Sequence, residues 1–390
     1  MKLPIYLDYH ATTPVDPRVL EAMLPFFTES FGNPASRNHK FGWAAATAVE
    51  NARKQVARLI NAGVKEIVFT SGASESDNMA IKGVAHRYRD RGDHIITVAT
   101  EHKAVLDSAK RLAQEEGFRV TYARLRPDGL VDLEDLKQAI TEKTLLVSVM
   151  AANNEIGVLQ PLAEIGRLCH ERGALFHTDA AQATGKIPLD VEAMQIDLLS
   201  IAGHKMYAPK GVGALYVRRR GTPVELTPIM DGGGHEGGLR SGTLNVPGIV
   251  GLGKTCEICR QEMPEESRRL AALRDRLKDG LLAGLEGIHL NGSLEHRLPN
   301  NLNVSFPGID VATLMAALND IALSSGSACN SGTPEPSYVL QALGVSDEVA
   351  NTPLRFGLGR FNTQEEIDYC LGRVVETVKR LRAMGSTEAA

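Results

Sequence analysis

Leu145-Leu146-Val147-Ser148-Val149, Leu175-Phe176-His177 and Asp197-Leu198-Leu199-Ser200-Ile201 are short apolar runs. Between the first two lies a helical pattern from Leu162 to Glu171 that keeps Leu162, Ile165, Leu168 and Cys169 on one face. An apolar strand, an amphipathic helix and a second apolar strand make the repeating unit of a parallel sheet covered by helices. Working toward the N-terminus, the same beat recurs at Glu66-Ile67-Val68-Phe69, His94-Ile95-Ile96-Thr97-Val98 and Arg119-Val120-Thr121-Tyr122. A helix is predicted from Asp132 to Ile140, with Asp132 as its N-cap. Toward the C-terminus, Ala214-Leu215-Tyr216-Val217 closes the region and the Gly-rich stretch from Asp231 to Gly242 follows as loop. From about Leu252 the pattern changes to long charged helices (Met263 to Leu285), a short strand (Leu302 to Phe306) and a final helix (Gln364 to Met384) that Gly385 should terminate. At 390 residues the chain exceeds one ordinary core. The expectation is an α/β protein: a large, mostly parallel sheet domain over 16–252, a smaller α+β domain over 253–390, and an arm, 1–15, packed near the smaller one.

Composition narrows the function. Hydrophobic residues at 43% and charged residues at 23% describe a globular chain and exclude a disordered or fibrous one. A net charge of -4, with no like-charge block beyond Arg218-Arg219-Arg220, argues against nucleic acid as the main partner. No apolar run reaches the roughly 18–20 residues of a membrane span, and Met1-Lys2-Leu3-Pro4 does not open a signal peptide, so the expected location is the cytoplasm. Cysteines number 5, an odd and small count that points to a reducing compartment. Cys256 and Cys259 form a C-x-x-C inside a predicted helix, with no second pair and no strand-turn context, and read as ordinary helix residues.

In such sheets ligands bind beyond the carboxyl ends of the strands, and here those ends are chemically unusual. The first carries Thr70-Ser71-Gly72-Ala73-Ser74-Glu75, hydroxyl residues and glycine leading into a helix, a ready phosphate site, although alone it would read as a plain N-cap turn. Others carry Thr100-Glu101-His102-Lys103, Asn153-Asn154-Glu155, His177-Thr178-Asp179 and Gly203-His204-Lys205. Asp179 ends an apolar strand, so its carboxylate needs a cation or strong donor opposite it. Lys205, held in a cleft, can shed its proton and attack carbonyls. A phosphate cradle, an acid for a ring nitrogen and a carbonyl-binding lysine together describe a site for pyridoxal 5'-phosphate.

These motifs carry a resemblance. With Tyr6-Leu7-Asp8-Tyr9-His10-Ala11-Thr12-Thr13-Pro14, Asn153-Asn154-Glu155-Ile156-Gly157, His177-Thr178-Asp179-Ala180-Ala181-Gln182, Arg240-Ser241-Gly242-Thr243 and Ser324-Ser325-Gly326-Ser327-Ala328-Cys329, the chain resembles the NifS/IscS type of cysteine desulfurases over nearly its whole length. These are class V aminotransferase-family enzymes of PLP fold type I, the aspartate-aminotransferase-like fold. The resemblance implies that L-cysteine becomes L-alanine while sulfur passes to Cys329 as a persulfide, for iron–sulfur cluster assembly and other sulfur transfer. It implies that Lys205 binds the cofactor covalently and moves the proton, that His102 stacks on the pyridine ring, that Asp179 pairs with the ring N–H and that Gln182 bonds the phenolic oxygen. Ala73, Ser74 and His204 would hold the phosphate, helped by Thr243 of the partner subunit in a homodimer. Asn154 and Arg355 would orient the substrate, the arginine by a bidentate grip on its carboxylate. No metal site is implied, beyond transient ligation of an iron–sulfur cluster by Cys329.

One position departs from the family pattern: Ala202 stands where Ser usually precedes Gly-His-Lys. A hydroxyl contact to phosphate is then missing, a loss of about 1.5–3 kcal/mol unless water replaces it. The chain also ends at Ala390 without the Ser-Pro-Leu-Trp tail by which relatives dock a cluster scaffold, so weak or altered docking is expected. Two other readings stay open at this stage, a selenocysteine or C–S lyase and a PLP-binding but non-catalytic delivery platform. Persulfide on Cys329 separates the desulfurase from a lyase, and the intact set Lys205, His102, Asp179 and Cys329 speaks against a platform.

Overall fold

The computed structural model describes residues 2–326 and 336–388; Cys329 lies outside the described residues. The first strands are β1 (Ile5–Tyr6), β2 (Ile67–Thr70), β3 (His94–Val98), β4 (Arg119–Ala123), β5 (Thr144–Ser148) and β6 (Leu175–Asp179). They are followed by β7 (Leu198–Ala202), β8 (Gly213–Val217), β9 (His289–Leu290), β10 (Asn301–Ser305), β11 (Ile321–Ala322) and β12 (Pro353–Gly357).

A seven-stranded sheet runs in the order β2-β8-β7-β6-β5-β3-β4. Only β8 is antiparallel to its neighbours, pairing with β2 on one side and β7 on the other. The inner strands β5 and β7 are buried at every residue, which is why they read as continuous apolar runs rather than alternating ones. At the margin, β4 is only partly buried and exposes Arg119 and Tyr122, the charged and bulky side chains of an edge strand. Asp132 caps its helix as expected, accepting from the N–H groups of Glu134 and Asp135. Leu162, Ile165, Leu168 and Cys169 are all buried.

Helix Val246–Gly284 joins the two halves without a break, although Pro264 lies inside it. Its first half buries Val246, Ile249, Leu252, Cys256 and Cys259 in the core of the large sheet. Its second half buries Leu270, Leu273, Leu277 and Leu281 in a second core with Val304, Phe306, Phe356 and Val374. The expected boundary at 252/253 therefore falls inside a helix, and the change of core comes between Cys259 and Leu270. Ile5 and Leu7 of the N-terminal arm enter the second core, and β1 pairs with β11 in parallel. The smaller sheet is antiparallel, in the order β12-β10-β9. The last helix spans Gln364–Glu388 and passes through Gly385, where the sequence predicted a stop. A lone glycine costs a helix only about 1 kcal/mol, too little to end one by itself.

Candidate active site

The parallel strands β2, β7, β6, β5 and β3 all end on one rim of the sheet, so their polar ends converge. At β2 the turn is built around Gly72, whose φ of 154° favours glycine. A Cβ there would meet no atom within 4 Å, so the space above the turn is open. Thr70 Oγ1 contacts Ser76 Oγ at 2.8 Å and accepts the Gly72 N–H at 3.3 Å, which fixes the turn before helix Ala73–Arg87 begins. Glu75 braces the outside, accepting Ser71 N–H at 2.7 Å and Arg240 Nε–H at 2.8 Å. Behind the turn, a Cβ on Gly213 would come within 2.6 Å of Gly72 Cα, so β8 needs glycine at its first residue. The exposed amide end of a 15-residue helix over open space is a fitting seat for a phosphate.

At β7, Gly203–Lys205 forms a single 3-10 turn. Lys205 Nζ donates to the carbonyl oxygens of His10 and Ala11, the latter at 2.8 Å, so the N-terminal arm closes over the lysine. Lys186 Nζ donates to the Lys205 carbonyl at 3.0 Å, and burial, with Lys205 nearby, lowers its pKa to about 8. His204 bonds Thr12 Oγ1 at 3.1 Å and is pushed down to about 4 by burial and then by Lys205, Lys210 and Lys186.

Asp179 ends β6, is buried, and accepts the Ala181 N–H at 2.8 Å. Burial raises its pKa, while the Ala181 N–H, His102 and Lys205 pull it back toward ionisation. Two further buried carboxyls, Asp77 and Glu101, are held well above the usual range by burial first and the charge of Asp179 second. Asp179 is thus the member of the three placed to carry charge. His102 caps helix Lys103–Glu116, its Nδ1 accepting the Ala104 N–H at 3.2 Å. With Nδ1 accepting there, Nε2 is the ring nitrogen that carries the proton of the neutral imidazole.

Gln182 is held from both ends of its amide by one residue. Its Nε2 donates to the His10 carbonyl at 2.9 Å, and its Oε1 meets His10 Nδ1 at 2.9 Å. A carbonyl can only accept, so the amide orientation is set and His10 must carry its proton on Nδ1. Arg355 is 4% exposed; Nη1 donates to the Asn154 carbonyl at 2.9 Å and Nη2 to Asp8 Oδ1 at 2.8 Å. Arg355 Nε, a donor, and Asn154 Oδ1, an acceptor, are buried with no hydrogen-bond partner among the described residues.

The sequence-predicted residues Ala73, Asn154, Asp179, Gln182, Ala202, His204, Lys205 and His102 therefore share one rim, Arg355 of β12 reaches Asn154 from the smaller sheet, and their donor set fits pyridoxal phosphate. Ala202, buried on β7, brings no hydroxyl to it. Ser74 and Thr243 are exposed, and Thr243 lines a small cavity with Thr70, Ser71 and Arg240 of its own chain. His10, Asp8, Lys186, Asp77 and Glu155 were missed as individual site residues. The usable signal was weak: Asp77 is a lone acid on the buried face of its helix, between Ser76 and Ala80.

Glu155 is 2% exposed and its pKa is raised to about 7, by burial, against the lowering effects of the Ser337 hydroxyl and Arg355. The folded protein holds this proton more tightly than the unfolded chain, whose ordinary value is 4.5. Its stabilising effect is complete below that pH and fades as pH rises through about 7. Wild type should accordingly lose up to about 3 kcal/mol relative to Glu155→Gln between pH 4 and pH 8, measured by urea denaturation of both proteins.

The comparisons agree with this geometry. The family model for class-V aminotransferases matches residues 5–370. Cysteine desulfurase IscS of Anaeromyxobacter dehalogenans (strain 2CP-C) is 59% identical over 384 residues, 98% of this chain and 95% of that protein. A solved NifS-like protein superposes with a TM-score of 0.90 at 41% identity, covering 97% of this chain and all of that one. SspA, solved in complex with cysteine, has a TM-score of 0.81 at 39% identity over 92% of this chain and 100% of its own. The chain belongs to the class-V aminotransferase family and, within it, to the NifS/IscS type of cysteine desulfurases.

Proposed function

We propose that this rim converts L-cysteine to L-alanine and passes the sulfur to Cys329 as a persulfide. What carries the reading is the meeting of Lys205, Asp179, His102, Gln182 and the Gly72 turn at one strand edge, with Arg355 and Asn154 beside them. The cofactor, pyridoxal 5'-phosphate, supplies when bound an electron sink conjugated to the substrate carbons. Ala73, Ser74 and His204 hold its phosphate, with Thr243 of the partner subunit. Asp179 keeps the ring nitrogen protonated, and Gln182, aimed by His10, donates to the phenolic oxygen. Lys205 takes and returns protons at Nζ, and His102 does so at Nε2. Arg355 grips the substrate carboxylate, and Asn154 with it orients the substrate.

In the transfer itself the Cys329 thiolate forms an S–S bond to the substrate sulfur while the substrate C–S bond breaks. The electron pair stays on carbon, which takes a proton to become the methyl of alanine. Cysteine plus thiol gives alanine plus persulfide, and no outside oxidant or reductant is needed. The persulfide then serves an acceptor protein, for iron–sulfur clusters and other sulfur transfer.

A homodimer fits this scheme. Phe27, Phe31, Phe41 and Trp43 are exposed on one N-terminal segment, with Phe31 and Phe41 rings 5.3 Å apart, an aromatic surface suited to a second copy. The described cysteines Cys169, Cys256, Cys259 and Cys370 are buried free thiols, which supports a reducing compartment, the cytoplasm.

The reading predicts that Asp179→Asn slows turnover more than it loosens the cofactor. Loss of a charge-assisted bond of about 1.5–3 kcal/mol should reduce kcat about tenfold to a hundredfold. Turnover and cofactor affinity, measured on the same preparation, check it; equal losses in both would contradict the assigned role.

A further inference from the structure

Glu155 stands where two things meet. The residue before it, Asn154, gives its carbonyl to Arg355 Nη1 at 2.9 Å. Its own carboxylate faces the two chain flanks of the segment that holds Cys329. Ser337, on the far flank, donates its hydroxyl to Glu155 Oε2 at 2.6 Å. Gly326, on the near flank, lies so close that a Cβ there would come within 2.6 Å of the same oxygen and 2.9 Å of Ser337 Cβ. The flanks therefore converge on one carboxylate oxygen.

The surroundings make that oxygen a fixed point. Glu155 N donates to Asn153 Oδ1 at 2.8 Å, and its carbonyl accepts from Asn301 Nδ2 and Asn303 Nδ2, each at 3.1 Å. Those asparagines sit at the start and middle of β10, so the smaller sheet grips the Glu155 backbone. The near flank is tied to the substrate grip as well, because Arg355 N donates to the Ser324 carbonyl at 2.7 Å. On the far flank Tyr338 OH donates to the Glu101 carbonyl at 2.8 Å, next to His102. Burying a carboxyl group among few donors is costly, and an apolar residue would fill the space more cheaply. The cost is understandable if the oxygen has a task that filling cannot perform.

We propose that Glu155 is a positioning residue for the sulfur-transfer step, pinning both flanks of the Cys329 segment to the loop that grips the substrate carboxylate. The inference rests on Cys329 being the sulfur acceptor. Nothing in it requires Glu155 to touch substrate or cofactor. Its effect should therefore fall on the rate at which sulfur reaches Cys329 and not on cysteine binding.

The test is a single turnover with the cofactor-loaded enzyme and L-cysteine. Cysteine affinity is read from the visible spectrum, and persulfide on Cys329 from intact mass and peptide mapping of quenched samples. Glu155→Ala should slow persulfide formation by about tenfold to a hundredfold, the range for misplacing a reacting group. Cysteine affinity should stay within about twofold of wild type, since the Asn154 carbonyl that holds Arg355 belongs to the backbone and is kept in the variant. Glu155→Gln, which keeps an oxygen for the Ser337 hydroxyl, should restore most of the rate, and Ser337→Ala should show the same split in milder form. Wild-type transfer rates in both Glu155→Ala and Ser337→Ala would overturn the proposal, and so would a loss of affinity matching the loss of rate. If wild type itself puts no sulfur on Cys329, the acceptor reading fails and the anchoring falls with it; if only the variants behave like wild type, the anchoring alone fails.

Discussion

Lys205→Ala is expected to purify without the visible absorbance of covalently bound cofactor and to make no alanine from L-cysteine above background. The lysine has two duties, holding the cofactor and moving the proton, and the second alone contributes about 100-fold to 10,000-fold. The combined loss should be at least about 1,000-fold. Lys186 is the neighbouring amine to consider as a substitute, since burial lowers its pKa to about 8. Its Nζ, however, is bonded to the backbone carbonyl of residue 205 at 3.0 Å, a bond that the alanine variant keeps. Absorbance and alanine assays on the purified variant check the result. Covalent cofactor in that variant, without added amine, would remove Lys205 from its role.

Cys329→Ala should behave in the opposite way. It should keep the cofactor and still change its spectrum with L-cysteine, because Lys205, Asp179, His102 and Arg355 are untouched. Alanine formation should then fall to background, since the substrate sulfur has no thiolate to receive it. A thiol of ordinary pKa near 8.5 is only a few per cent ionised at neutral pH, so added small thiols should rescue the variant poorly. Alanine produced at the wild-type rate with no added thiol would show that sulfur leaves by another route.

The elements that were legible in the sequence are those whose burial is two-sided. β5 and β7 read as unbroken apolar runs, so their existence could be inferred from residues 145–149 and 197–201, and their parallel direction from the helical pattern between neighbouring runs. The apolar run at β6 is only Leu175-Phe176-His177, but the strand end expected at Asp179 is where β6 stops, with Asp179 paired to Ser200 of β7. Helix Val246–Gly284 was divided in the reading because its charged second half and Pro264 resemble a new beginning. The buried leucines from Leu270 to Leu281 show that only the partner core changes.

The active-site residues followed the same logic. Residues at strand ends, such as His102, Asp179 and Lys205, could be found because parallel topology brings all such ends to one edge. Contacts made by the N-terminal arm could not. His10 meets Gln182 and Asp8 meets Arg355 across separations of 172 and 347 residues, and no local pattern in Tyr6-Leu7-Asp8-Tyr9-His10 announces either contact. Glu155 was quoted only as part of a motif, because its importance lies in what folding places against it, Gly326 and Ser337.

The most direct measurement is intact mass of the cofactor-loaded protein before and after L-cysteine, with alanine counted in the same sample. The account predicts one added sulfur atom per chain, located on Cys329 by peptide mapping and removed by reductant, in step with one alanine in the first turnover. Alanine release with no sulfur on the protein, or sulfur carried on Cys169, Cys256, Cys259 or Cys370 instead, would contradict it.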